Sequence, residues 1–222
     1  MGNVCSVVDF DSCPIGKQDF ITFCKEAFES EGVLMLGGFL KKQAVKELVL
    51  EAESQKKLAY YASATHSVYL TPHQDHLADD HIHNRQVTSS KGYITTDQIP
   101  IKSGLRTIYY SDVFRKFVSG VVGVPELYEY ADLLSSINVH YANEGQELNW
   151  HFDNSGFAIN LLLQSPQGGG SFEYVKDLRS AETGEMNYDN VEDYVDGLRE
   201  PKSLAVEPGT LMLFRGRNSM HS

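Results

Sequence analysis

The sequence predicts a mainly β fold with N-terminal helices, a sandwich or jelly-roll barrel preceded by a helical layer. Three observations predict it. Helical apolar spacing is confined to the first 122 residues. From residue 136 onward, short strand-like runs alternate with tight-turn signals. No repeat, low-complexity tract or linker-like composition divides the 222 residues, a length within reach of one large domain. Residues 1–130 read as helical support and lid, and 131–222 as the β core.

Each element follows from local pattern. Phe20, Ile21, Cys24, Ala27 and Phe28 recur at helical spacing within 17–31, and Val33 to Leu36 then read as a strand before Gly37-Gly38. Ala44, Val45, Leu48, Val49 and Ala52 mark one face of a helix over 41–56. Residues 60–105 are polar and weakly patterned. Ser111 is placed to cap a helix that turns Val113, Phe114, Phe117, Val118 and Val121 inward, with Pro125 beyond its end. Strands are expected at 136–142, 148–153, 157–164, 171–175, 203–206 and 210–215. Glu144-Gly145, Asn154-Ser155-Gly156, Gly168-Gly169-Gly170 and Pro208-Gly209 supply turns between them. An acidic, tyrosine-containing insert occupies 176–202.

Composition narrows the function classes. Hydrophobic residues make up 41% of the chain, enough for a sizeable core, which excludes wholesale disorder. The net charge of −11 disfavours nucleic-acid binding, which needs clustered Lys and Arg against phosphates. No apolar run approaches the roughly 20 residues of a membrane span, so no stable membrane insertion is expected. Cys5, Cys13 and Cys24 form no CxxC pair, which favours a reducing compartment and a cytoplasmic location. Met1 to Ser6 does match an N-myristoylation pattern at Gly2, with Cys5 as a second lipid site. Asp9 and Asp11 follow where a basic patch would normally assist, and a chance match is the stronger reading.

The chemistry concentrates in Asn149-Trp150-His151-Phe152-Asp153-Asn154. Residues i and i+2 of a strand share a face, so His151 and Asp153 aim an imidazole and a carboxylate at one point. His221 ends the apolar run that begins at Leu211. If those strands are neighbours, the three complete a two-histidine, one-carboxylate face, which holds Fe(II) and leaves the opposite side open. An isolated HxD arises often by chance; the surrounding order of motifs raises its weight.

That order is His151-Phe152-Asp153, then LLLQ at 161–164 with GGGSFEY at 168–174, then EPGTLMLFRGRNSMH at 207–221. Together they resemble the Fe(II)/2-oxoglutarate-dependent dioxygenases over residues 136–222. Gly92-Tyr93 to Ile99-Pro100, with Ala131-Asp132, are similar to one subgroup, the carrier-free amino-acid halogenases and their sister lysine hydroxylases. The resemblance implies a double-stranded β-helix (jelly-roll, cupin-like) with Fe(II) and 2-oxoglutarate as cofactors and O₂ as co-substrate. It implies oxidative decarboxylation to succinate and CO₂, coupled to attack on an unactivated C–H bond. The subgroup's halogenases carry glycine or alanine at the carboxylate ligand; Asp153 fills that position here, so hydroxylation is expected.

The resemblance also implies a cation for the far carboxylate of 2-oxoglutarate, usually about ten residues after the distal histidine. This sequence stops one residue past His221, so the expectation is a truncated sequence, or another residue in that role. Arg85 is the upstream candidate for a carboxylate contact, and Asn138 and Tyr141 are candidates for polar contacts to 2-oxoglutarate. For each, a surface salt bridge or strand packing is the plainer reading. Arg215 and Arg217 sit near His221 but are equally suited to bracing the barrel rim. Trp150, Asn154 and Ser155 adjoin the ligands and are candidate substrate contacts. His66, His73, His76, His81 and His83, with Asp75, Asp79 and Asp80, pose a rival metal site or a specificity lid. The expected function is hydroxylation of a small molecule, a free amino acid, with a basic, lysine-like one the first candidate. A peptide hydroxylase of the same fold, and a non-catalytic cupin-like metal binder, are the alternatives.

Overall fold

The computed structural model describes residues 3–132 and 134–222. Gly2, the lipidation candidate, lies outside them. The first helix, α1 (Gln18–Glu31), ends at Gly32, whose φ of 71° is the left-handed conformation that closes a helix without a Cβ penalty. Strand β1 (Val33–Leu36) follows directly, then α2 (Lys42–Gln55), α3 (Gly104–Tyr109) and α4 (Asp112–Val122). Ser111 caps α4 as expected, its hydroxyl accepting from the Phe114 backbone N–H, and Gly123 closes it. Val113 points outward, unlike its apolar neighbours. Helices α1 and α4 pack closely because Gly120 leaves room for Ile21, and Phe20 stacks on Phe117 beside it. This layer is the main core, with Cys24, Phe28, Phe39, Phe117, Leu211 and Leu213 all buried.

Among the described residues the strands form three three-stranded antiparallel sheets. The first joins β1, β8 (Leu211–Phe214) and β5 (Ala158–Leu161), with β8 central and buried throughout. The second is a long hairpin, β2 (Tyr60–Ser67) and β3 (Gln86–Ile94), extended by β4 (Val139–Tyr141). The third is β7 (Lys202–Leu204), β6 (Phe172–Val175) and β9 (Met220–His221). Helix α5 (Tyr188–Val195) lies within the acidic insert. The jelly-roll expectation is met only in part: among the described residues these sheets do not close into a barrel.

Two differences from the sequence reading have local causes. The β2–β3 hairpin was unreadable because YYASATHS and QVTSSKGYI lack an apolar face of period two. The expected strand over 148–153 is reduced to one bridge, His151↔His221. Its donors are used elsewhere: Asn149 N–H goes to Ser89 Oγ and Trp150 N–H to the Asn149 side chain. The next three reach three separate segments, His151 to His221 O, Phe152 to Val68 O and Asp153 to Gly216 O, each at 2.9 Å. A ladder is lost, and the HxD backbone is pinned from three directions instead.

Candidate metal centre

Those three bonds place the ligand set. His151 and Asp153 face one side of their segment, while Trp150 and Phe152 face the other, into a small cluster with Val68, Tyr69, Ile82, Leu178 and Met220. Asp153 Oδ1 lies 3.9 Å from His151 Nε2 and 3.7 Å from His221 Nε2. One ligand atom from each residue lies within 4.8 Å of the others, and among the described residues no second such group occurs. His151 Nδ1 donates to Asn149 O at 2.7 Å, and His221 Nδ1 faces Ser219 O at 3.3 Å. A proton held on Nδ1 leaves the Nε2 lone pair free, the arrangement by which protein carbonyls orient metal-binding imidazoles.

Electrostatics favours the same reading. Burial lowers the pKa of His221 to about 3, with His151 adding to the effect, and burial likewise lowers that of His151. Burial raises Asp153, against the lowering fields of His151, Lys91 and Arg179. Both rings are therefore neutral near neutral pH, and their approaches to Asp153 are not ion pairs. Asp153 Oδ2 is buried without a hydrogen-bond partner. A neutral imidazole pair beside an uncompensated carboxylate fits a divalent cation, which supplies the missing charge and accepts all three lone pairs.

Backbone and second-layer residues shape this pocket. Gly216 is essential to it: a Cβ there would lie 2.6 Å from Asp153 Cγ and closer still to Oδ2. Arg179, unnoticed in the sequence, stacks its guanidinium 4.2 Å from the Phe152 ring centre and donates from Nε to Arg217 O. It sits in the acidic insert with no motif around it, so only the tertiary contact reveals it. Tyr69 lies under Phe152, and His83 lies on Tyr69, as a stack at 5.4 Å spacings.

The metal-free protein has a calculable pH response. The folded state resists protonating His221 down to about pH 3, whereas the unfolded chain takes up that proton near 6.5. His221 thus contributes stability that is present above pH 6.5 and lost as pH falls toward 3. Relative to His221→Leu, the chelator-treated wild type should lose up to roughly 1.4 kcal/mol per pH unit across that window. Parallel melts of the two proteins between pH 7.5 and 5 measure it; parallel curves would show that the ring is not buried neutral.

No family model matches the chain, and no curated protein matches it. Among solved structures, it is similar to a crystal structure of an oxidoreductase of the 2OG-Fe(II) oxygenase family from Burkholderia pseudomallei. The TM-score is 0.53 at 11% identity, covering 90% of this chain and 82% of that one. The likeness is one of fold.

The remaining expected residues are distributed as follows. Arg85 pairs with two carboxylates of α5, Nη1 3.7 Å from Glu192 and Nη2 2.8 Å from Asp196. It also lines a cavity of about 700 Å³ with His66, His73 and Asp79. Tyr141 turns away from the ligands, its hydroxyl donating to Ala52 O on α2. Tyr141 shares a sheet face with Gly92, while His140, paired with Tyr93, takes the opposite face. Asn138 is exposed and donates to Ser135 O. Asn154 and Ser155 are exposed beside Asp153, and Trp150 is half-buried. Arg215 lies over Phe28 and braces the core.

Among the described residues the histidine-rich stretch forms no second cluster of three metal-ligating atoms. His73 bridges Asp75 and Asp79 at the surface, His66 bonds Ser89, and His83 bonds Thr71. Asn84, buried, ties the 74–84 loop together through Gln74, Leu77 and Ala78. All three cysteines are free, and no helix of the described residues is long and apolar enough to cross a membrane.

Proposed function

We propose that the protein is an Fe(II)/2-oxoglutarate-dependent hydroxylase of a small molecule, a free amino acid, with a basic, lysine-like one the first candidate. The observation that carries this is the facing of two free Nε2 atoms and an orphaned carboxylate, His151, His221 and Asp153. The fold likeness to a 2OG-Fe(II) oxygenase supports the cofactor pair. Bound iron with 2-oxoglutarate supplies the oxidation: one oxygen atom of O₂ enters succinate, with CO₂ released, and the other enters a substrate C–H bond.

The chain's own residues hold and select. The Asn149 and Ser219 carbonyls fix the ring tautomers, and Gly216 lets the carboxylate stand between them. The cavity of about 700 Å³ is lined by none of the three ligands but by His66, whose ring lies 6.0 Å from that of His151, and its size is typical of small-molecule pockets, which favours a compact substrate over a peptide. Asn154 and Ser155, exposed at the ligand rim, are placed to contact substrate. Net negative charge adds a weak attraction for a cationic amino acid.

Succinate release with Fe(II) and 2-oxoglutarate, screened across the amino acids, tests the reading, with product masses compared in the presence and absence of chloride. One amino acid should stimulate release and gain one oxygen atom. Asp153→Gly should lose most of that product and yield at most traces of chlorinated material. Chlorination by the wild type would remove Asp153 from the ligand set and the hydroxylase reading with it.

A further inference from the structure

Of the histidines in the 66–83 stretch, His66 is joined to the metal face by a chain of hydrogen bonds. It lies on β2 and Ser89 on β3. The register pairs His66 with Val87 and Ser89 with Ala64, so the two are diagonal neighbours on one face of the hairpin. The His66 ring stands edge-on to that of His151, with 6.0 Å between centres.

Acceptor chemistry fixes the direction of every bond in the chain. His66 Nδ1 meets Ser67 O at 3.0 Å; a carbonyl only accepts, so Nδ1 carries the proton. A neutral ring that donates from Nδ1 accepts at Nε2, so the Ser89 hydroxyl, 2.8 Å away, donates to it. With its proton committed there, Ser89 Oγ presents lone pairs, and the Asn149 backbone N–H donates to it at 2.8 Å. Asn149 O then accepts His151 Nδ1–H at 2.7 Å. Reversing either ring would set a bare nitrogen against a carbonyl oxygen. The adjacent Ser90 N–H donates to Glu147 O at 2.8 Å, so β3 grips the segment leading to His151 at two successive residues.

We infer that His66 and Ser89 are positioning residues for the metal-binding His151. The imidazole on β2 sets the Ser89 hydroxyl, which holds the Asn149 peptide where its carbonyl keeps the His151 proton on Nδ1 and leaves Nε2 bare. This rests on the metal face of the proposed function, and on neither 2-oxoglutarate nor the substrate.

Two-bond proton–nitrogen spectra of the chelator-treated full chain, nitrogen-labelled at histidine, read the tautomer of each ring; calorimetry reads Mn(II) affinity. The wild type should show His66 and His151 protonated at Nδ1. Ser89→Ala removes a single oxygen atom. His151 should then populate both tautomers, and Mn(II) affinity should fall about tenfold, as for loss of an outer partner of a metal ligand. Ser89→Thr keeps the hydroxyl and should restore both readouts. His66→Phe should weaken Mn(II) binding less, since Ser89 Oγ can still accept. The His66→Phe/Ser89→Ala double variant should bind no more weakly than Ser89→Ala alone, as links in series require. A Ser89→Ala protein whose His151 stays wholly protonated at Nδ1 overturns the assignment, whatever its melting point. Additive losses in the double variant overturn the place of His66 in the chain, as does a wild-type His66 protonated at Nε2. A wild type with both expected tautomers that binds no Mn(II) overturns the metal reading itself, and the positioning role with it.

Discussion

His221→Ala should abolish metal-dependent succinate formation and lower divalent-metal affinity by more than about a hundredfold, beyond the usual cost of losing a residue that merely orients a ligand. His221 is 8% exposed, its ring 4.7 Å from Phe214 and 5.8 Å from Phe172, so alanine leaves a cavity among aromatic rings. A stability loss of about 2–4 kcal/mol should accompany the loss of metal. His221→Leu separates the two effects, since it fills the space and offers no lone pair. That variant should melt near the wild type in chelator yet bind no Mn(II) in calorimetry. Wild-type affinity in His221→Leu would remove His221 from the centre.

Gly216→Ala should damage the centre almost as severely, although Gly216 offers no side chain to a metal. Its Cα is the surface against which Asp153 rests, and an added methyl occupies the place of the carboxylate. Asp153 cannot move aside with its backbone, because its N–H is held by Gly216 O itself. The carboxylate must rotate off its site, so metal affinity should fall by at least about tenfold, and overpacking should cost about 1–3 kcal/mol. The clash makes a specific demand on the pair. In the Gly216→Ala/Asp153→Gly double variant the stability penalty should vanish, giving strong non-additivity in a double-mutant cycle. Simple additivity of the two melting shifts would show that the two residues do not touch.

Local pattern was sufficient for much of the scaffold. Helical spacing located α1, α2 and α4, and the Ser111 cap and the four-residue strand β1 stand where residue type puts them. These signals are legible because each such element buries one apolar face, and that face repeats with the element's own period. The triad was legible for a different reason. His151 and Asp153 are two residues apart, so any extended backbone brings them together, whereas His221 joins them through one long-range bridge that motif order anticipated.

What tertiary structure alone decided is which polar groups meet. The β2–β3 hairpin has no apolar stripe, and that absence hid both strands. Parity was undecidable at β4 without its partner: only the Tyr93↔His140 register puts His140 on the face of Tyr93 and sends Tyr141 to Ala52. Arg85 and Arg179 carry the same charge in sequence. One is matched by carboxylates brought up by α5, the other is laid over Phe152 from an insert 26 residues away from Asp153. Sequence determined which side chains form the candidate metal face, because the HxD spacing is local. Counter-charges, tautomers and the room for a carboxylate over Gly216 depend on contacts between distant segments, and so belonged to the tertiary structure.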